Sequence, residues 1–147
     1  MQAIETSSRF WLRAAALVGM IFGLMTIREG GAVLFVDGVA REAAGNYVPF
    51  VLWFNFLAGF AYVVAGIGLW RRRQWGALAA IGIATATLIV FALFAWHIIG
   101  GGAFEFRTVI AMSLRSSIWV LIAAIGWWQL LSRKKPAVAA SHNGSRT

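Results

Sequence analysis

The sequence predicts an all-α integral membrane protein, a four-helix bundle with both termini cytoplasmic. Three observations carry that expectation. The chain has 147 residues, 61% of them hydrophobic, and a mean hydropathy of +0.77. Only 12% are charged, against about 25% in a soluble domain. The apolar residues fall into four runs, 10–27, 49–70, 75–99 and 108–131, each near the roughly 20 residues that cross a hydrocarbon core of about 30 Å. The cations are also unevenly placed. With both ends inside, the inner segments hold Arg9, Arg13, Arg71, Arg72, Arg73, Arg133, Lys134, Lys135 and Arg146, nine of the thirteen, against the single acid Glu5. The outer segments hold Arg28, Arg41 and Arg107 with four acids, Glu29, Asp37, Glu42 and Glu105. Lys/Arg excess in short loops sets orientation, so the expected location is a cell (inner) membrane, multi-pass. This distribution also accounts for the net charge of +8 without nucleic acid: the basic segments act as topology signals and meet anionic lipid.

The first run follows Arg9 and Arg13 and resembles the start of a signal peptide, but no A-x-A-like site follows. A retained first span is expected, with Arg13 snorkelling to the interface from its first turn. Gly19 and Gly23 in GMIFG form a small-xxx-small pattern that admits a close helix neighbour, in the bundle or in a second copy. The run ends at Arg28-Glu29-Gly30-Gly31. Residues 32–48, AVLFVDGVAREAAGNYV, are too short and polar to span and are expected to form a short element on the outer face.

Pro49 opens the second span, at the first helical position where its missing N–H is tolerated. Within it Asn55, Gly59, Tyr62 and Gly66 share one stripe. That stripe is either a helix-packing face with one side-chain hydrogen bond or the wall of a pocket. Arg71-Arg72-Arg73 make a tight inner turn flanked by the interfacial anchors Trp70 and Trp75. The third span carries Thr85 and Thr87 and ends in Gly100-Gly101-Gly102, a turn able to take positive φ. The fourth ends at Trp127-Trp128 and the basic stop SRKKP. The tail, 132–147, is small, polar and expected to be disordered; its His142 is not a ligand candidate.

All four helices thus bring polar groups to one end. His97 lies 22 residues past Trp75, roughly 33 Å along a helix, at the outer interface. Glu105 and Arg107 follow the glycine turn, Arg28 and Glu29 close the first span, and Asn55 lies one to two turns below. Arg115 is deepest, roughly 12 Å inward of Arg107. A charged side chain within a span costs about 2.5–3.5 kcal/mol on insertion scales and marks a functional candidate. It either binds a ligand or pairs with carbonyls, Asn55, Glu29 or Glu105 to hold the helices in register. His97 either hydrogen-bonds a neighbour, relays a proton or ligates. No second membrane histidine supports a metal, and haem would require a further axial partner. The chain has no cysteine, which removes thiol relays and thiolate ligation. It has neither a phosphate-binding Gly-rich motif nor a Ser-His-Asp set, so no self-sufficient catalytic constellation is expected.

The layout resembles the DoxX-like family of small four-span membrane proteins over residues 13–97. The likeness rests on the opening helix RAAALVGMIFG, the outer segment, the small-residue second span LAGFAYVVAGIGLW, the basic turn, and a third span closing in His97. It departs at Arg28-Glu29 and at the charged FEFRT…LR start of the last helix. The resemblance implies a bundle serving as the membrane subunit of an oxidoreductase system, sometimes quinone-linked; the expected role is non-catalytic or accessory, with no cofactor fixed, and haem, weighed from His97, is less expected than quinone. The expected partners are the bilayer and either a membrane or peripheral protein or a second copy. Two other functions fit the residues. One is a small dimeric transporter for an anionic or small polar solute, with the GMIFG face as dimer contact. The other is a structural or assembly protein.

Overall fold

The computed structural model describes residues 2–36 and 38–132, with side chains from residue 9 onward. Residues 133–147, nearly all of the expected tail and with it His142, lie outside them. The described chain is helical throughout: α1 (Gln2–Phe35), α2 (Val39–Ala44), α3 (Pro49–Trp70), α4 (Gln74–Ile99) and α5 (Phe106–Gly126), which runs on through a widened π turn, Trp127–Leu131. Four segments are long and apolar enough to cross a membrane: Arg9–Phe35, Pro49–Trp70, Gln74–Ile99 and Phe106–Leu131. Large apolar side chains such as Leu24, Ile89 and Leu121 point outward, as a lipid-facing surface requires. α1, α3, α4 and α5 form one bundle, and the short α2 lies across the end where α1 finishes and α3 begins.

The first helix differs from expectation. It does not stop at Arg28-Glu29-Gly30-Gly31 but continues to Phe35. The glycines that read as a terminator lie against the Phe56 ring of α3, where Gly30 is buried. Packing on that neighbour outweighs the helix-breaking tendency of two glycines, about 1 kcal/mol each. Arg13 lies well inside the helix, its guanidinium 5.7 Å from the centroid of the Trp70 ring, a cation–π contact.

α1 packs most extensively on α3. A Cβ on Gly23 would stand 2.8 Å from the Gly59 carbonyl oxygen, and one on Gly66 would stand 2.5 Å from Met20 Cγ. Small residues bring membrane helices to this distance. The GMIFG face is therefore filled within the chain: Gly23 meets Gly59, and Gly19 meets Trp119 of α5. This corrects the expectation that it serves as a dimer contact.

α3 and α4 both end in a Schellman motif. In α3, Arg73 N–H donates to Gly68 O (2.9 Å) and Arg72 N–H to Leu69 O (2.9 Å), with Arg72 at φ 55°. In α4 the same bonds run from Gly102 to His97 O and from Gly101 to Ile98 O, both 3.0 Å, with Gly101 at φ 80°. The core is in two parts. A large cluster centred on Leu12, Tyr62, Leu69, Trp119 and Ile122 fills the middle and the α3–α4 turn end. A smaller one, Val48, Val51, Phe94 and Met112, fills the α2 end between α3, α4 and α5. The other flank of that end, between α1 and α5, has no such filling.

Candidate functional site

The unfilled flank is a cavity of about 440 Å³, within the usual range for a small-molecule site. Its space follows from side-chain size. Ala32, Ala40, Ala43, Ala44 and Ala111 line it where bulkier residues would close it. Its polar lining comes from Arg28, Glu29 and Thr26 of α1, Asn55 of α3, and Arg107, Thr108 and Arg115 of α5.

Of the eight residues singled out in the sequence, five meet here: Arg28, Glu29, Asn55, Arg107 and Arg115. Arg115 is only 7% exposed. Its Nη1 donates to Met112 Sδ at 3.6 Å, a weak bond to a soft acceptor, and its guanidinium lies 5.6 Å from the Phe22 ring centroid. Its Nε is buried without a hydrogen-bond partner. Glu29 lines the same cavity, but among the described residues no ion pair joins the two. The expected pairing with Asn55 or Glu105 is likewise not formed. Asn55 Oδ1 has no hydrogen-bond partner, and Glu105 is engaged elsewhere.

The remaining three candidates, Glu105, His97 and Tyr62, lie outside the cavity lining. Glu105 Oε1 accepts from Asn46 N–H at 2.9 Å and lies against Gly45, which has φ 59° and no room for a Cβ beside the carboxylate. Arg107 lines the cavity and also donates from Nη2 to Ala43 O, at the carboxyl end of α2. Arg41, which the sequence reading passed over, donates to Val33 O (3.2 Å) and Leu34 O (3.0 Å) and so satisfies two carbonyls at the end of α1. Helix ends leave such carbonyls without intrahelical partners. α2 has no buried residue; these side-chain anchors hold it. His97 donates through Nε2 to Ala103 O at 3.2 Å when that nitrogen carries the proton, and its ring fills the space a Cβ on Gly102 would take. It braces the turn rather than lining the cavity.

Tyr62 lies below the cavity, fully buried, its ring centroid 4.6 Å from that of Trp119. The stripe in α3 therefore divides. Gly59 and Gly66 pack on α1, Tyr62 packs on α5, and Asn55 alone reaches the cavity. Tyr62 Oη, Thr87 Oγ1, Ser116 Oγ and Trp119 Nε1 are buried with no hydrogen bond of ordinary length, although the Thr87 hydroxyl lies close to that of Tyr62. Counting helical rise from the α2 end, Asn55 lies roughly 9 Å in, Arg115 roughly 14 Å, and Tyr62 and Trp119 roughly 20 Å. Beyond them Leu12, Ala16, Ala65, Leu69 and Ala77 close the bundle with apolar side chains. The polar region opens at one end and stops at mid-bundle.

Thr26, Tyr47 and Thr108 also line the cavity and had no signal in the sequence, since each is a common residue with no special spacing. Among the described residues no group of three His, Asp or Glu side chains is placed to hold a metal ion. Compared with protein families, curated proteins and solved structures, the chain matches none of them.

Proposed function

We propose that the chain is a multi-pass membrane protein, both termini cytoplasmic, whose outer-end cavity binds a small ligand, and that it serves as a non-catalytic or accessory subunit of an oxidoreductase system. The observation that carries this reading is Arg115, buried, lining the cavity, and without a carboxylate partner. A guanidinium in a span is costly to keep, and one that holds helices in register would be expected to have found its partner within the bundle. Arg115 and the Asn55 amide are donors suited to a carbonyl, so a quinone, the class the resemblance implies, finds hydrogen-bonding groups here. A bound quinone would supply two-electron redox chemistry, with Arg115 and Asn55 the residues that would hold its head. The apolar closure beneath Tyr62 and the absence of an acid at mid-span among the described residues argue against a transport path through one copy.

The test is extraction in a mild, lipid-preserving detergent followed by mass spectrometry of what co-purifies, for the native chain and for Ala44→Phe. Ala44 lies on α2, which has no core role, so this change fills the cavity and leaves the bundle intact. A stoichiometric small molecule present in the first and lost in the second supports the reading. The same lipid alone in both would sink it.

A further inference from the structure

We infer that the ligand of this cavity is an anionic amphiphile, a carboxylate or phosphate head on a compact apolar body, seated with its head on Arg115. The inference rests on the ligand-binding part of the reading above, names the class, and sets an anionic head in place of the neutral quinone.

The charge in the cavity argues for it. Three guanidiniums, Arg28, Arg107 and Arg115, line it with one carboxylate, Glu29. Arg107 is tied in part to Ala43 O, so its position is fixed, but a carbonyl does not neutralise its charge. Arg115 is more than nine-tenths buried, has an unpartnered Nε, and relies on a thioether and an aromatic face in place of an anion. A buried charge is tolerated when it is paired and hydrogen-bonded. A planar guanidinium fits a carboxylate or phosphate with two parallel bonds. A neutral head provides hydrogen bonds but leaves the excess of positive charge in place.

The shape of the site supplies the rest. Asn55 and Arg115 mark its floor, while Val33, Leu52 and the alanines of α2 form apolar walls above and beside it. An occupant therefore presents its charge inward and its apolar body to the walls. Two sources share this chemistry, a free organic acid and the headgroup of an anionic lipid.

The experiment uses the full-length protein in neutral detergent and follows thermal unfolding by tryptophan fluorescence, with decanoate and decanol as probes. The two share a chain and differ in the head, so detergent effects common to both cancel. A decyl-substituted benzoquinone is the neutral redox probe. The expected result is stabilisation by decanoate and not by decanol or the quinone, with affinity reduced about tenfold or more in Arg115→Gln and lost in Ala44→Phe. Protection that appears only in nanodiscs containing phosphatidylglycerol, against pure phosphatidylcholine, and that Arg115→Gln removes, gives the same answer with a lipid as source. Stabilisation by decanol or the quinone equal to that by decanoate, still abolished by Ala44→Phe, overturns the anionic class and leaves the ligand pocket standing. No probe or nanodisc effect that responds to Ala44→Phe removes both.

Discussion

Along its α3 side, α1 comes so close that Gly23 and Gly59 pack backbone on backbone. Along its α5 side, at the α2 end, the same helix stands off behind alanines and leaves a cavity of about 440 Å³. The residues on both sides are small, yet the outcomes are opposite. Glycine on both partners removes all bulk between two helices and turns the interface into backbone contact, where van der Waals packing does the holding. At the α2 end the alanines of α1, α2 and α5 leave space instead of contact, and the Arg115 guanidinium lies at its floor without a carboxylate partner. One flank of α1 is a close helix contact and the other borders a cavity.

Four substitutions break or sharpen this contrast. Gly23→Val has the largest effect: with less than 3 Å between the new Cβ and the Gly59 carbonyl oxygen, the helices must separate, at an expected cost of about 3 kcal/mol, measured by unfolding in mixed micelles. A tolerated valine would mean that the α1–α3 contact is not what holds the bundle. Arg115→Met comes next and in the opposite direction. Removing an uncompensated charge from the span is expected to raise the stability of the ligand-free protein by about 2 kcal/mol while abolishing binding. A loss of stability instead would assign Arg115 to the framework.

Gly102→Ala forces the His97 ring from its place and breaks its bond to Ala103 O, for an expected loss of about 1 kcal/mol. In a double-mutant cycle with His97→Ala the penalty disappears; additive losses would separate the two residues. Tyr62→Phe is the smallest. Since Tyr62 Oη is buried with no hydrogen bond of ordinary length, stability stays level or rises by less than about 1 kcal/mol. A clear decrease would show that this hydroxyl is engaged.

The two flanks also differ in how far the sequence revealed them. The four apolar runs are legible because crossing length is a property of the sequence alone, and α3 occupies the same residues 49–70 that hydropathy and Pro49 mark. The end of α1 was not legible. Arg28-Glu29-Gly30-Gly31 has the composition of a stop, and only the Phe56 ring of a distant helix makes it continue. The turn after α3 falls where the three arginines mark it, although Arg72 takes the left-handed position that glycine usually fills, at a cost of roughly 1–2 kcal/mol. The gathering of Arg28, Asn55, Arg107 and Arg115 at one end followed from counting helical rise. That Glu105 and His97 brace loops while Arg115 lacks a partner did not, because partnership depends on side-chain direction across helices and no spacing encodes it.

α2 separates two quantities that ordinarily move together. It has no buried residue and hangs from Arg41, Glu105 and Arg107 through bonds to main-chain atoms at the rim. Undoing those bonds would expose no buried residue of α2, so its swinging aside would leave the four long helices in place, on the microsecond-to-millisecond scale of lid motion. How long an occupant remains is then governed at the rim, and how tightly it is preferred is governed at the floor. Weakening the Arg41 or Glu105 anchor, neither of which lines the cavity, is expected to quicken both arrival and departure and leave their ratio unchanged, whereas altering Arg115 would change the ratio itself.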